Sequence, residues 1–305
     1  MSDAYLLKVE KINEEMNRAL PNVFPEDVRD DITVQAAMYS LMAGGKRFRP
    51  CLMFFTADML GIDREAVKLY ACVLEMIHTY SLIHDDLPGM DNDDLRRGKP
   101  TCHKVYGEGI AVLAGDMLLN RAFELMSEDL IKAIKSKDDP IKAAAAASVM
   151  SRLAGVYGML GGQSFDKASE EKRISLDELY LLQEKKTGAL IEAAVTMPYY
   201  LINGLEETEL LDQLKKLSMH IGLAFQIKDD LLDVTSSPDV LGKSVGKDDR
   251  DNKSTFVTLL GQENAEKKLN DEIKACYDVL EDLDKKGYHT ESYYDMIAFL
   301  AERDY

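Results

Sequence analysis

A chain of 305 residues is long enough to bury roughly 75% of its unfolded surface, so a core can form without metal or disulfide staples. With 46% apolar and 30% charged residues, the composition is that of a folded globular chain and excludes the weakly hydrophobic, strongly charged disordered class. A balance of 37 basic against 54 acidic residues, net −17, argues against sequence-blind binding to nucleic acid or to an anionic membrane, so a phosphate-bearing partner needs local cations.

In chain order, the first twenty residues are charged throughout and lack the apolar core and small-residue cleavage site of a signal peptide. Gly44-Gly45-Lys46-Arg47-Phe48-Arg49-Pro50 then concentrates three positive charges in a glycine-rich turn before a helix, an anion site by composition. Leu69, Val73, Met76, Tyr80, Ile83 and Leu87 repeat at three and four and predict a helix. Further helical windows are the alanine-rich 141–160, 176–202, 210–225 and 263–283. Asp138-Asp139-Pro140 reads as a helix start with Pro at an early position, and Pro198 alone falls inside a helix. Alternating β-branched runs are hard to find, and no linker or repeat interrupts the chain. The expectation is an all-α fold, one continuous helical domain over 1–305. Cys51, Cys72, Cys102 and Cys276 are scattered, with no C-x-x-C pair, which fits a reducing, cytoplasmic location. The most apolar stretch, 188–202, carries Glu192 and is too short to span a bilayer, so no stable membrane insertion is expected.

Two acidic motifs stand out. The first, His84-Asp85-Asp86-Leu87-Pro88-Gly89-Met90-Asp91, follows a helix directly, placing carboxylates at the negative end of the macrodipole, a cost of roughly 0.3–1 kcal/mol per exposed charge. Such a violation is expected where function outweighs stability, and crowded hard oxygen ligands suggest Mg²⁺. Pro88-Gly89 bends the chain so that Asp91 can return toward Asp85. In the second, Gln226-Ile227-Lys228-Asp229-Asp230-Leu231-Leu232-Asp233, Asp229 and Asp233 lie four apart on one helix face, with Gln226 and Asp230 extending the stripe. Like charges at this spacing repel, and a cation removes the repulsion. A diphosphate bridging the two motifs would supply the remaining ligands. The EF-hand spacing is absent, and Gly242-Lys243-Ser244 lacks the P-loop glycine because position 237 is Ser. Arg96-Arg97 after the first motif, Lys185-Lys186-Thr187-Gly188, and Lys243, Lys247 and Lys253 imply direct cationic contacts to phosphate as well. His78 shares a helical face with Ser81 and Asp85.

The set GGKRFRP, EMIHTYSLIHDDLPGMDNDDLRRGKPT, GGQSFD, EKKTGALIEAA and GLAFQIKDDLLDVTSSPDVLGKSVGKD resembles the trans-isoprenyl diphosphate synthases, most closely the bacterial farnesyl diphosphate synthase type, through residues 40 to 260. The resemblance implies an all-α bundle around a deep cavity, a homodimer, and Mg²⁺-dependent joining of an allylic diphosphate to isopentenyl diphosphate, with several ions per site. It further implies that Asp85 and Asp91 bind Mg²⁺ with Asp86 orienting them, that Asp229 is a ligand, and that Asp230 and Asp233 hold water. Arg96, Lys186 and Lys243 resemble the grip on the allylic diphosphate. Lys46, Arg49, His78 and Arg97 resemble the isopentenyl diphosphate pocket, and Gly45 and Lys253 are further substrate-binding candidates. Gln226 and the carbonyls near Lys186-Thr187, where Gly188 lets the helix loosen, present negative dipole ends to a carbocation. Tyr80, roughly 7.5 Å along the axis from Asp85, reads as a floor under a growing chain, with Ser81 a further chain-length candidate; the resemblance implies that an aromatic there, with the Pro-Gly insertion in the first motif, goes with a fifteen-carbon product. A geranylgeranyl diphosphate synthase, a terpene cyclase or a non-catalytic subunit of a two-chain synthase are the competing functions. A cyclase has no need of Lys46, Arg49 and Arg97, and a non-catalytic subunit typically loses an aspartate motif that is present here.

Overall fold

The protein is described by a computed structural model over residues 3–170, 172–235 and 254–302. Helices form where apolar side chains recur at three and four. They are α1 (Asp3–Ala19), α2 (Ile32–Leu41), α3 (Phe48–Met59), α4 (Arg64–Asp85), α5 (Cys102–Tyr106), α6 (Glu108–Ser136), α7 (Pro140–Ala154), α8 (Met159–Ala168), α9 (Leu176–Gln183), α10 (Ala189–Asn203) and α11 (Glu209–Thr235). Three more follow: Phe256–Leu260, Gln262–Lys285 and Glu291–Glu302. Their starts carry the expected caps. Asp31 accepts from Thr33 N–H at 2.8 Å, Asp63 from Glu65 N–H at 3.0 Å, and Asp139 from Ile141 N–H at 3.0 Å with Pro140 leading the helix. Each such cap stabilises by ~1 kcal/mol.

Three features, two of them departures from the sequence reading, shape the site. The 141–160 window is not one helix: α7 stops at Ala154, the chain turns through Gly155 and Gly158, and α8 starts a new direction. The 176–202 window loosens where Gly188 led one to expect it, in a π-turn over Glu184–Gly188 between α9 and α10, and Pro198 does lie inside α10. A small hairpin also forms, pairing Leu95 with Pro100 and Arg96 with Lys99. Arg97 and Gly98 form its turn with φ of 54° and 73°, left-handed at both positions, the geometry that matches strand twist in a two-residue hairpin.

The central helix is α4, which packs on α3, α6, α10 and α2. Its Tyr70, with Phe54 and Phe55 of α3 and Tyr293 of Glu291–Glu302, is fully buried, each such side chain contributing roughly 1.5–3 kcal/mol. By length and composition Arg64–Asp85 and Pro140–Ala168 are apolar enough to cross a bilayer. The first is mostly enclosed by its neighbours, and the second contains the break at Gly155.

Candidate active site

The C-terminus of α4 carries the first acidic motif. The chain reverses after Pro88-Gly89, and Asp91 N–H donates to the Asp85 carbonyl at 2.8 Å, so the return foreseen for Asp91 is made by a backbone hydrogen bond. Asp86, only 3% exposed, caps α4 and accepts from Arg96, at 3.1 Å from Nε and again from Nη2. Asp93 lies 3.6 Å from the same guanidinium. Burial pushes the Asp85 carboxyl up from 3.8 to about 6; Lys186 and Arg96 pull it down, while Asp91 and Asp86 push it up. Desolvation and a like charge thus outweigh the cations.

Asp85, Ser81, Tyr80, Lys186 and Thr187 line a cavity of about 410 Å³. The π-turn aims Lys186 and Thr187 into it. α8 approaches this turn closely because residue 162 is glycine: a Cβ there would sit 2.3 Å from Lys186 N. Lys186 pairs with Asp166 at 2.5 Å. Thr187 Oγ1 donates to Gln226 Oε1 at 3.1 Å, and Gln226 Nε2 donates to Asp230 Oδ1 at 2.9 Å. The second acidic motif, on α11, is therefore tied to the wall of the cavity that holds the first. Asp230 is 5% exposed, and its Oδ2 accepts from Phe256 N–H at 2.8 Å; both its oxygens are engaged by protein donors. Asp229 and Asp233 are half-buried.

A second cavity of about 340 Å³ is lined by Lys46, Arg47, Arg49, His78, Arg97 and Glu75. Its positive charges come from the glycine-rich turn and the hairpin. Arg97 Nη1 donates to the Gly44 carbonyl, and a Cβ at Gly45 would lie 2.5 Å from the Arg97 Cζ. Arg49 Nη1 stands 3.4 Å from His78 Nε2, and the Arg49 Nε is buried without a partner among the described residues. Burial lowers the Arg49 guanidinium from its ordinary value, while Glu75 and Asp229 hold it up. Asp229 is thus near enough to act on this cavity. Burial, then the charges of Arg49, Arg97, Arg96 and Arg47, hold His78 well below its ordinary range, so the imidazole is neutral. Arg49 and His78 line both cavities and form the wall between them.

Among the described residues no three acidic, His or Cys side chains converge on one metal-sized point. Instead Gln163 Nε2 donates to Asp85 Oδ1 at 2.7 Å and Lys167 lies 3.3 Å from Asp91. The Asp85 and Asp91 carboxylates that these groups hold fit Mg²⁺, which is bound by one or two carboxylates plus substrate phosphates and water rather than by an all-protein cage. An Asp85 carboxyl raised by burial, with Asp91 and Asp86 adding to it, is a group whose charged form a cation would favour. The structure thus places Asp85, Lys186 and Thr187 on one cavity, with Asp91 and Gln226 hydrogen-bonded to its lining, and Lys46, Arg49, His78 and Arg97 on the other, with Gly45 against Arg97; Asp86 and Arg96 line a smaller pocket beside Arg97. Lys243 and Lys253, with Lys247, lie outside the described residues.

Gln163, Asp166 and Lys167 carry no role in the sequence reading, although Gln163 and Asp166 lie in the GGQSFD motif that resembles the family; polar side chains on one face of a short helix were the available signal. The Arg47–Glu75 ion pair was not foreseen either. Both side chains are buried, and Arg47 Nη2 also donates to the Leu41 carbonyl at 2.7 Å.

An all-α bundle with two acidic motifs tied to one cavity, beside a cation-lined cavity, defines a diphosphate-handling helical enzyme. Residues 30–295 match the Polyprenyl synthetase family model. The chain belongs to that family and is a prenyltransferase. It is 42% identical to farnesyl diphosphate synthase of Geobacillus stearothermophilus, over 92% of this chain and 94% of the relative. It is 44% identical to the chloroplastic geranylgeranyl pyrophosphate synthase 3 of Arabidopsis thaliana, over 85% of this chain and 69% of the relative. The crystal structure of geranyltransferase from Helicobacter pylori, complexed with magnesium and isoprenyl diphosphate, superposes with a TM-score of 0.84 at 31% identity, covering 99% of each chain.

Proposed function

We propose that the chain joins isopentenyl diphosphate to dimethylallyl or geranyl diphosphate and releases farnesyl diphosphate. The observation that carries this reading is the pair of adjoining cavities, one acid-bearing and one cation-lined, that share Arg49 and His78 as a wall. Asp85, Asp91 and Asp229 would hold Mg²⁺, with Asp86, Asp230 and Asp233 behind them; bound ions supply electrostatic stabilisation to the diphosphate whose charge grows as the allylic C–O bond breaks. Lys186 and Arg96 steady that leaving group, with Lys243 and Lys253 as further candidates. Lys46, Arg49, Arg97 and neutral His78 anchor the other diphosphate, which is retained. The isopentenyl double bond attacks the carbocation, a C–C bond forms, and a proton leaves to the departed diphosphate. Thr187 and Gln226 turn oxygen lone pairs toward the cation, and the enclosed cavity keeps water from quenching it.

Product length follows from Tyr80. Its ring is 2% exposed and lines the acid-bearing cavity, the position at which a growing hydrocarbon would be stopped, which favours fifteen carbons over twenty. Two copies of the chain pairing as a homodimer would cover exposed Val112, Leu113, Val156, Tyr157 and Leu160 on and between α6 and α8. The test is incubation of purified protein with labelled isopentenyl diphosphate and each allylic primer, followed by product sizing. Farnesyl diphosphate is expected; a cyclic hydrocarbon or no condensation would overturn the reading.

A further inference from the structure

His84 stands four residues after Tyr80, so the two rings share one ridge of α4. Their centroids are 5.8 Å apart with planes at 79°, an edge-to-face contact. On its other side the imidazole lies against α6. Its Nε2 is 3.0 Å from the Val112 carbonyl oxygen, and a Cβ on Gly115 would fall 2.1 Å from that same nitrogen. The ring therefore occupies a gap that exists only because position 115 has no side chain.

The Tyr80 hydroxyl is buried without a hydrogen-bond partner among the described residues. No polar contact fixes the phenol there, so its place is set by packing, and His84 is one surface it packs on. His84, Tyr80 and Val112 all line the cavity that receives the growing hydrocarbon.

We propose that His84, seated in the gap at Gly115, is a positioning residue that sets the depth of the hydrocarbon chamber by backing Tyr80. The inference rests on the reading of Tyr80 as the floor for a prenyl chain. Removing the imidazole gives Tyr80 room to tilt toward α6 and lengthens the chamber. Filling position 115 instead expels the imidazole from its seat.

The test compares products of the unmodified chain, Tyr80→Ala, His84→Ala, Gly115→Ala and the paired His84→Ala/Gly115→Ala. For His84→Ala with Tyr80 intact, the ratio of twenty- to fifteen-carbon product should rise at least about tenfold, the discrimination carried by a methylene-sized change in an apolar pocket. In the pair, the methyl at 115 fills only part of the vacated gap, so the ratio should fall between that of His84→Ala and that of the unmodified chain, and if His84→Ala alone folds poorly the pair must still read above the unmodified chain. Gly115→Ala should lower Tm when His84 is present and do so much less when it is absent. If Tyr80→Ala lengthens the product while His84→Ala and the pair leave it unchanged, the inference fails and the proposed function stands. Equal Tm losses for Gly115→Ala in both backgrounds also overturn it. No condensation by the unmodified chain removes the reading on which it rests.

Discussion

Replacing Asp85 by Asn is expected to make the metal-free protein more stable while abolishing condensation. The folded carboxyl, raised from 3.8 to about 6 by burial and by Asp91, holds its proton more tightly than in the unfolded chain. Its contribution to stability is therefore complete below 3.8 and is lost as pH rises through about 6. That interval, at about 1.36 kcal/mol per pH unit, corresponds to up to about 3 kcal/mol at pH 7. Asn is neutral and close in shape, and its Oδ1 can still accept from Gln163, which donates to Asp85 Oδ1 at 2.7 Å. Urea unfolding in chelator should give Asp85→Asn a higher midpoint at unchanged slope at pH 7, with the gain shrinking toward pH 4. Adding Mg²⁺ with inorganic diphosphate should raise the midpoint of the unmodified protein more than that of the variant. A variant less stable than its parent at pH 7, or a gain of the same size at pH 4, would refute the reasoning.

Glu75→Leu leaves Arg47 charged and enclosed, at 3% exposure, and should cost about 3–5 kcal/mol in denaturant unfolding; Arg47→Met/Glu75→Leu should recover most of it. Lys46→Ala, which alters only the cation-lined cavity, should raise KM for isopentenyl diphosphate about 10-fold or more, as loss of a charged hydrogen bond predicts, and leave KM for the allylic primer unchanged in steady-state kinetics. Tyr80→Ala should shift the chromatographed product from fifteen toward twenty carbons, and an unchanged product would remove the floor.

Much of this arrangement was legible because its signals are local. The spacing of Leu69 through Leu87 marks α4, and Asp139-Pro140 marks the start of α7. The Pro88-Gly89 bend announces the return of Asp91, which the backbone bond to Asp85 makes. Gly188 signalled a loosened helix, and a π-turn ends there. Other features depend on partners distant in sequence. Glu75 reads as one more polar residue on α4 until α3 brings Arg47 against it, and Gln163 acquires meaning only when α8 meets Asp85. The 141–160 window looked continuous because its alanines favour helix, whereas Gly155 and Gly158 end α7 and redirect the chain. The hairpin bearing Arg96 and Arg97 has no alternating apolar pattern; a left-handed Arg97-Gly98 turn makes it.

The central claim is that the two acidic motifs act on one diphosphate through divalent ions. Anomalous scattering from crystals soaked in Mn²⁺ with inorganic diphosphate tests it most directly. Ions are expected beside Asp85 and Asp91 and beside Asp229, with the diphosphate between the two groups. Ions bound elsewhere, or a diphosphate held by Arg and Lys alone, would contradict it.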